Sequence, residues 1–119
     1  MELFSWESVK KEVLNDKVAR KVIWGEKMTM AHIFIAKDGV VPVHHHENEQ
    51  ISSVLSGALR FELAGKEIVA RKGDVLLIPS NVPHRVVALE DSLALDVFSP
   101  VRTDWLTGND DYVRQKELA

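Results

Sequence analysis

Three histidines and a glutamine, His44, His46, Gln50 and His84, are the side chains of this sequence best suited to holding a metal ion. In "VPVHHHENEQISSVLSG" His44 and His46 are two apart, so on an extended strand they share a face, and His45 points the other way. Gln50 lies four further on and keeps that face if the strand continues without a bulge, whereas a β-bulge would turn Glu49 inward instead. His84 follows "IPSNVP" and must come from a different strand. Imidazoles with an amide oxygen suit one divalent transition metal ion such as Ni, Zn, Fe or Mn. All four donors are neutral, so remaining positions are left to water or an anionic ligand. An isolated HxH is a weak signal, and the spacing alone leaves surface histidines as an equal alternative. His32, on an apolar strand, is expected to be a core or pocket-lining residue and not a ligand.

A second group lies downstream in "LALDVFSPVRTDWL". Asp96 and Phe98 share parity on one strand, and Arg102 follows a proline-terminated turn. An acid, an aromatic ring and an arginine near a metal form a plausible site for a small anionic substrate. Asp96 could shuttle a proton, Arg102 could grip a carboxylate through two parallel hydrogen bonds, and Phe98 could wall the pocket. The plainer alternative is a rim salt bridge between Asp96 and Arg102, with Phe98 in the core.

These residues need strands to position them. From about Val18 onward the chain reads as short strands: "ARKVIWG", "MTMAHIFIA", "QISSVLSG", "LRFEL", "EIVAR", "DVLLIP", "RVVAL" and "LALDVFS". In "MTMAHIFIA", Met28, Met30, His32 and Phe34 fall on one face and Thr29, Ala31, Ile33 and Ile35 on the other, so both faces are apolar. Turn chemistry at "AGKE", "KGD" and "EDS" separates the strands, which argues for a β-sandwich or small barrel. Helix is expected only at "WESVKKEVL" near the N-terminus and "DDYVRQKEL" near the C-terminus.

The gross composition agrees. With 119 residues the chain has room for one core, and residues 1–119 read as a single domain with its barrel at about 18–103. Fifteen basic against 18 acidic residues, scattered, leave no electrostatic footprint for nucleic acid. The absence of cysteine excludes disulfides, thiolate metal sites and cysteine nucleophiles. No apolar stretch approaches the roughly 20 residues of a membrane span, and the charged start lacks a signal-peptide core. A cytoplasmic location, without membrane or nucleic-acid partners, is the expectation.

Gly39, His44, His46, Gln50 and Gly57 resemble the first motif of the cupin superfamily: glycine, a short gap, HxH, glutamate or glutamine, six residues and glycine. Gly73, Pro79 and His84, in "GDVLLIPSNVPH", resemble the second motif, 15 residues further on from Ala58 to Lys72. The gap from Gly39 to His44 is one residue shorter than usual, Gln50 stands where many cupins have glutamate, Asn81 replaces a glycine, and Ala88 replaces a frequent asparagine. The resemblance implies an all-β, small jelly-roll β-barrel (cupin) with short helical or irregular termini. It further implies a metal in the barrel mouth on His44, His46, Gln50 and His84, and pairing as a homodimer. Together with "DVFSPVR" and the "DWL" that follows, the set is similar to the small pectin-degradation cupins, the unsaturated pyranuronate lyases. Those convert 4,5-unsaturated monouronates to the linear keto form. That similarity implies catalytic positions at Asp96, Phe98 and Arg102 and a small anionic, sugar-like substrate. A metal-dependent dioxygenase and a non-catalytic sugar- or ligand-binding cupin are the alternatives.

Overall fold

Alternation of buried and exposed side chains, with period two, governs nearly the whole chain. The computed structural model describes residues 1–114. Ten strands form two antiparallel sheets: β1 (Glu12–Val13), β2 (Val18–Trp24), β3 (Thr29–Ile35), β4 (Val40–His44), β5 (Glu49–Ser56), β6 (Ala58–Leu63), β7 (Lys66–Arg71), β8 (Val75–Ile78), β9 (His84–Ala88) and β10 (Ser92–Ser99). One sheet has the order β1-β2-β3-β10-β5-β8 and the other β4-β9-β6-β7. The strands switch repeatedly between sheets, giving an all-β jelly roll of the expected class.

The inward faces close on a core of Val18, Ile35, Val54, Leu59, Phe61 and Ile78, with Val86, Ala88 and Ala94. Full burial of a side chain such as Phe61 contributes on the order of 2 kcal/mol. One end of this interior changes character. On β10 the inward series Ala94, Asp96, Phe98 turns polar, and its neighbours across the ladder are Ser52 opposite Asp96 and Gln50 opposite Phe98. Gly57, between β5 and β6, has φ of +86°, and a Cβ there would lie 2.7 Å from Ser92 Cα. Asn81, which takes the place of the motif glycine, adopts φ of +63°, the left-handed conformation that asparagine tolerates.

Four expectations need correction. "WESVKKEVL" forms only a 3₁₀ turn, Trp6–Ser8, followed by β1. Its helical charge pattern is overridden by tertiary contacts: Trp6 stacks on His32 at 3.7 Å, Lys21 Nζ donates to Trp6 O at 2.8 Å, and β1 pairs with β2. For the same reason His32 is neither core nor pocket: it sits on the outer face of β3 beneath Trp6. Helix α1 (Thr103–Leu106) was not expected, and α2 (Asp111–Arg114) falls within the segment expected to be helical. The rest of the expected C-terminal helix, residues 115–118, lies outside the described residues. Finally, the chain does not run as one strand from His44 to Gln50. β4 ends at His44 in one sheet, and β5 begins at Glu49 in the other.

Arg20 on β2 ties the C-terminal segment to the sheet. It pairs with Asp110 at 2.6 Å and Glu12 at 3.1 Å, and Arg114 bonds the same two carboxylates. No helix among the described residues is long and apolar enough to cross a membrane.

Candidate metal centre and its cavity

His44 closes β4 and His84 opens β9, and the two are paired across the ladder. His46 enters from the segment that crosses between the sheets. Asn48, buried in that segment, donates through Nδ2 to the carbonyls of Pro100 and Val101, which fixes the crossing. The ligand atoms of His44, His46 and His84 lie within 4.8 Å of one another.

Each imidazole is oriented by a main-chain carbonyl. His44 Nδ1 lies 2.8 Å from Pro42 O, His46 Nδ1 3.0 Å from Asn48 O, and His84 Nδ1 2.8 Å from Val82 O. A carbonyl only accepts, so each Nδ1 carries the proton and each Nε2 presents its lone pair. Burial, reinforced by His84 and other nearby positive charge, lowers the His44 pKa to about 3. Burial and the charge of Arg102 lower that of His46 to about 4. The rings are therefore neutral at neutral pH.

Gln50, inward on β5, is set by its amide nitrogen. Nε2 donates to Ser52 Oγ at 2.9 Å and to Asp96 Oδ2 at 3.3 Å, which turns Oε1 toward His46. Gln50 Oε1 and His46 Nε2 then face each other at 3.1 Å, and both are acceptors. Two lone pairs this close are mutually repulsive unless a cation lies beside both. The spacing suits adjacent ligands of one ion with bonds of about 2.1 Å. His84 Nε2, buried with no partner among the described residues, adds a third donor seeking a cation. The residues fit a divalent metal.

A cavity of about 60 Å³ lies beside these donors. His44, His84, Gln50, Asp96, Phe98 and Arg102 all line it. Asp96 is buried, Oδ1 has no hydrogen-bond partner among the described residues, and burial pushes the carboxyl up to about 6 against the opposing pull of Ser52 and Arg102.

Residues 31–99 match the cupin-domain family. The chain belongs to the cupin family. Among solved structures this cupin is similar to KdgF from Halomonas sp., with 30% identity over 87% of this chain and 99% of that one, TM-score 0.81. An RmlC-like cupin from Shewanella frigidimarina shares 27% identity over 88% of this chain and 96% of that one, TM-score 0.82. A predicted oxalate decarboxylase from Thermotoga maritima shares the fold at 18% identity, over 83% of this chain and 99% of that one, TM-score 0.73. No curated protein matches the sequence.

The cupin fold puts six of the seven residues singled out in the sequence on this cavity and the seventh, His46, against Gln50, and it leaves His45 and Glu49 exposed. Arg102 does not pair with Asp96. Nε and Nη2 engage Asp104 at 2.9 and 2.6 Å, and Nη2 also donates to Tyr112 Oη at 2.9 Å. The two parallel bonds imagined for a substrate carboxylate are thus made to a carboxylate of the chain itself. Nη1 makes none among the described residues. Phe98 lies under the guanidinium, 4.7 Å from Cζ, and edge-on to His46 at 5.8 Å.

Sequence reasoning missed Tyr112 and Arg20, and it gave no role to Trp105 within "DWL". Tyr112 stacks on His44 at 4.3 Å, nearly parallel, besides accepting from Arg102. Trp105 lies 4.3 Å from Arg102 Cζ and edge-on to Phe98 at 5.1 Å. The only signal for Tyr112 was that it is the single tyrosine of the chain.

Proposed function

We propose that this cupin is a cytoplasmic, metal-dependent enzyme that opens 4,5-unsaturated monouronates to their linear keto form. The observation that carries the reading is Asp96: a buried carboxyl, hydrogen-bonded to Gln50, with Oδ1 unpartnered on a cavity shared with the histidines. A metal site that only docks an anion has no use for such a group. The similarity to KdgF over nearly the full chain supports the same reading.

His44, His46, Gln50 and His84 would hold the metal. A divalent cation there would supply positive charge beside the substrate carboxylate, where enolate charge develops. The reaction is a redox-neutral isomerisation. The C1 hydroxyl loses its proton as C1=O forms, and the bond from C1 to the ring oxygen breaks. That oxygen is left as an enolate at C5, and a proton delivered to C4 completes the ketone. Asp96 Oδ1 moves the proton. Arg102, held by Asp104 and Tyr112, offers Nη1 to the carboxylate, and Phe98 walls the ring. The protein is further proposed to pair as a homodimer through the outer face of β5 and β8, where Ile51, Leu55, Val75 and Leu77 are exposed.

Proton delivery is read directly by running the reaction in D₂O with the unsaturated galacturonate monomer. Proton NMR should show one deuteron entering at C4, faster than in buffer, with no oxygen consumed. Oxygen uptake coupled to substrate loss, or no acceleration of deuteration, would overturn the reading.

A further inference from the structure

Of the five buried side-chain polar atoms that lack a hydrogen-bond partner among the described residues, four belong to residues lining this one cavity. His84 Nε2 belongs to the metal donors, and Asp96 Oδ1 is the proposed proton-transfer atom. The other two, Arg20 Nη1 and Trp105 Nε1, have no part in that chemistry.

Both are donors and neither can accept. Arg20 is 2% exposed, and its remaining donors are taken: Nε by Glu12 at 3.4 Å, and Nη2 by Glu12 at 3.1 Å and Asp110 at 2.6 Å. The Trp105 indole is stacked with two guanidiniums, 4.2 Å from Arg20 Cζ and 4.3 Å from Arg102 Cζ. That stack holds the indole in place without satisfying its N–H. Each buried donor left unpaired costs about 1–3 kcal/mol, and two of them beside one cavity call for oxygen acceptors on whatever fills it.

The charge balance narrows the kind of oxygen. Arg20 and Arg114 face Glu12 and Asp110, so the four formal charges around Arg20 Nη1 cancel. A second anion gains little from such a compensated cluster, whereas a hydroxyl or carbonyl oxygen needs only the N–H.

We propose that Arg20 Nη1 and Trp105 Nε1 form a subsite, separate from the histidines and Gln50, for neutral oxygens on the carbon chain of the substrate. The proposal rests on the uronate reading. The carboxylate end lies at the metal residues, and the hydroxylated carbons reach Arg20 and Trp105. This subsite makes the cavity selective for a hydroxylated sugar acid over a short 2-hydroxy acid carrying the same carboxylate head.

The test is calorimetry on nickel-loaded protein with D-galacturonate and with glycolate, which keeps only the carboxylate and its neighbouring oxygen. Trp105→Phe removes the N–H and retains a ring between the guanidiniums. Arg20→Lys removes Nη1, and a thermal melt reports whether it folds; if it does not, Trp105→Phe decides alone. The expected result is that wild type prefers galacturonate and that each variant loses roughly tenfold for galacturonate, the worth of one hydrogen bond, with glycolate unchanged. Equal losses for both ligands would mean that the stack is merely structural and would overturn the subsite. So would galacturonate binding that is no tighter than glycolate in wild type or unaltered in the variants. Turnover is measured separately. An intact galacturonate preference without turnover supports the subsite and removes the lyase reading, whereas turnover with unaltered galacturonate binding removes the subsite alone.

Discussion

Gln50 donates its side-chain N–H to Asp96 Oδ2 at 3.3 Å while its Oε1 faces His46 Nε2 at 3.1 Å. One amide thus joins the group proposed to move the proton to the group proposed to hold the metal, and each end of it has a different requirement. The metal end needs only an oxygen, and the Asp96 end needs a donor.

Gln50→Glu separates these requirements. The added charge strengthens cation binding, but it places a second carboxylate against Asp96 and removes the N–H that Asp96 and Ser52 accept. Metal affinity, read by competition with a chelator, should rise. Turnover should fall on the order of tenfold or more. A variant with both properties improved would contradict the assigned role of the amide.

Asp96→Asn keeps the shape of the side chain and abolishes proton transfer. Turnover should drop on the order of a hundredfold or more, with metal content by elemental analysis close to wild type. Parallel losses of metal and turnover would mark Asp96 as a support for the metal residues and not as the acid-base group.

The Arg102–Asp104 pair sets part of the acid sensitivity of the fold. Burial alone would raise the Asp104 carboxyl, but the hydrogen bond and charge of Arg102 outweigh it, so the folded-state pKa lies below the usual carboxylate value. For Glu12, burial is outweighed in the same way by Arg114 and Arg20. A carboxyl with a lowered folded pKa stabilises the protein above its unfolded pKa of about 4, and that contribution is lost as pH falls through the folded value. Asp104→Asn should therefore be less stable than wild type at pH 7, and the difference should shrink below about pH 4. Thermal melts across that range check it, and a difference independent of pH would contradict it.

Gly57 has a φ of +86°, and a Cβ added there would collide with Ser92 and Asp91. Gly57→Ala should cost about 2 kcal/mol or more in urea denaturation. A loss below about 0.5 kcal/mol would show that the turn relaxes freely.

Much of this architecture was legible because alternation survives tertiary context. Gln50, Ser52 and Val54 on β5 and Asp96 and Phe98 on β10 face inward as their parity required. The histidines also converge as expected, but by a different route: parity along one strand does not place them, because the chain changes sheets between His44 and Glu49. The N-terminal segment misled because its charge spacing is helical, whereas the stacking of Trp6 on His32 rewards a different path. Tyr112 and Arg20 reach the cavity from opposite ends of the sequence. Only the topology, with the Arg20–Asp110 ion pair, brings them together, and no local pattern encodes that meeting.

Ring opening is read most directly from the ultraviolet absorbance of an unsaturated galacturonate monomer incubated with metal-loaded protein. The conjugated enol-ether band should disappear faster than in buffer, and a chelator should return the rate to the buffer value. A rate equal to that of buffer with every divalent metal tried would contradict it.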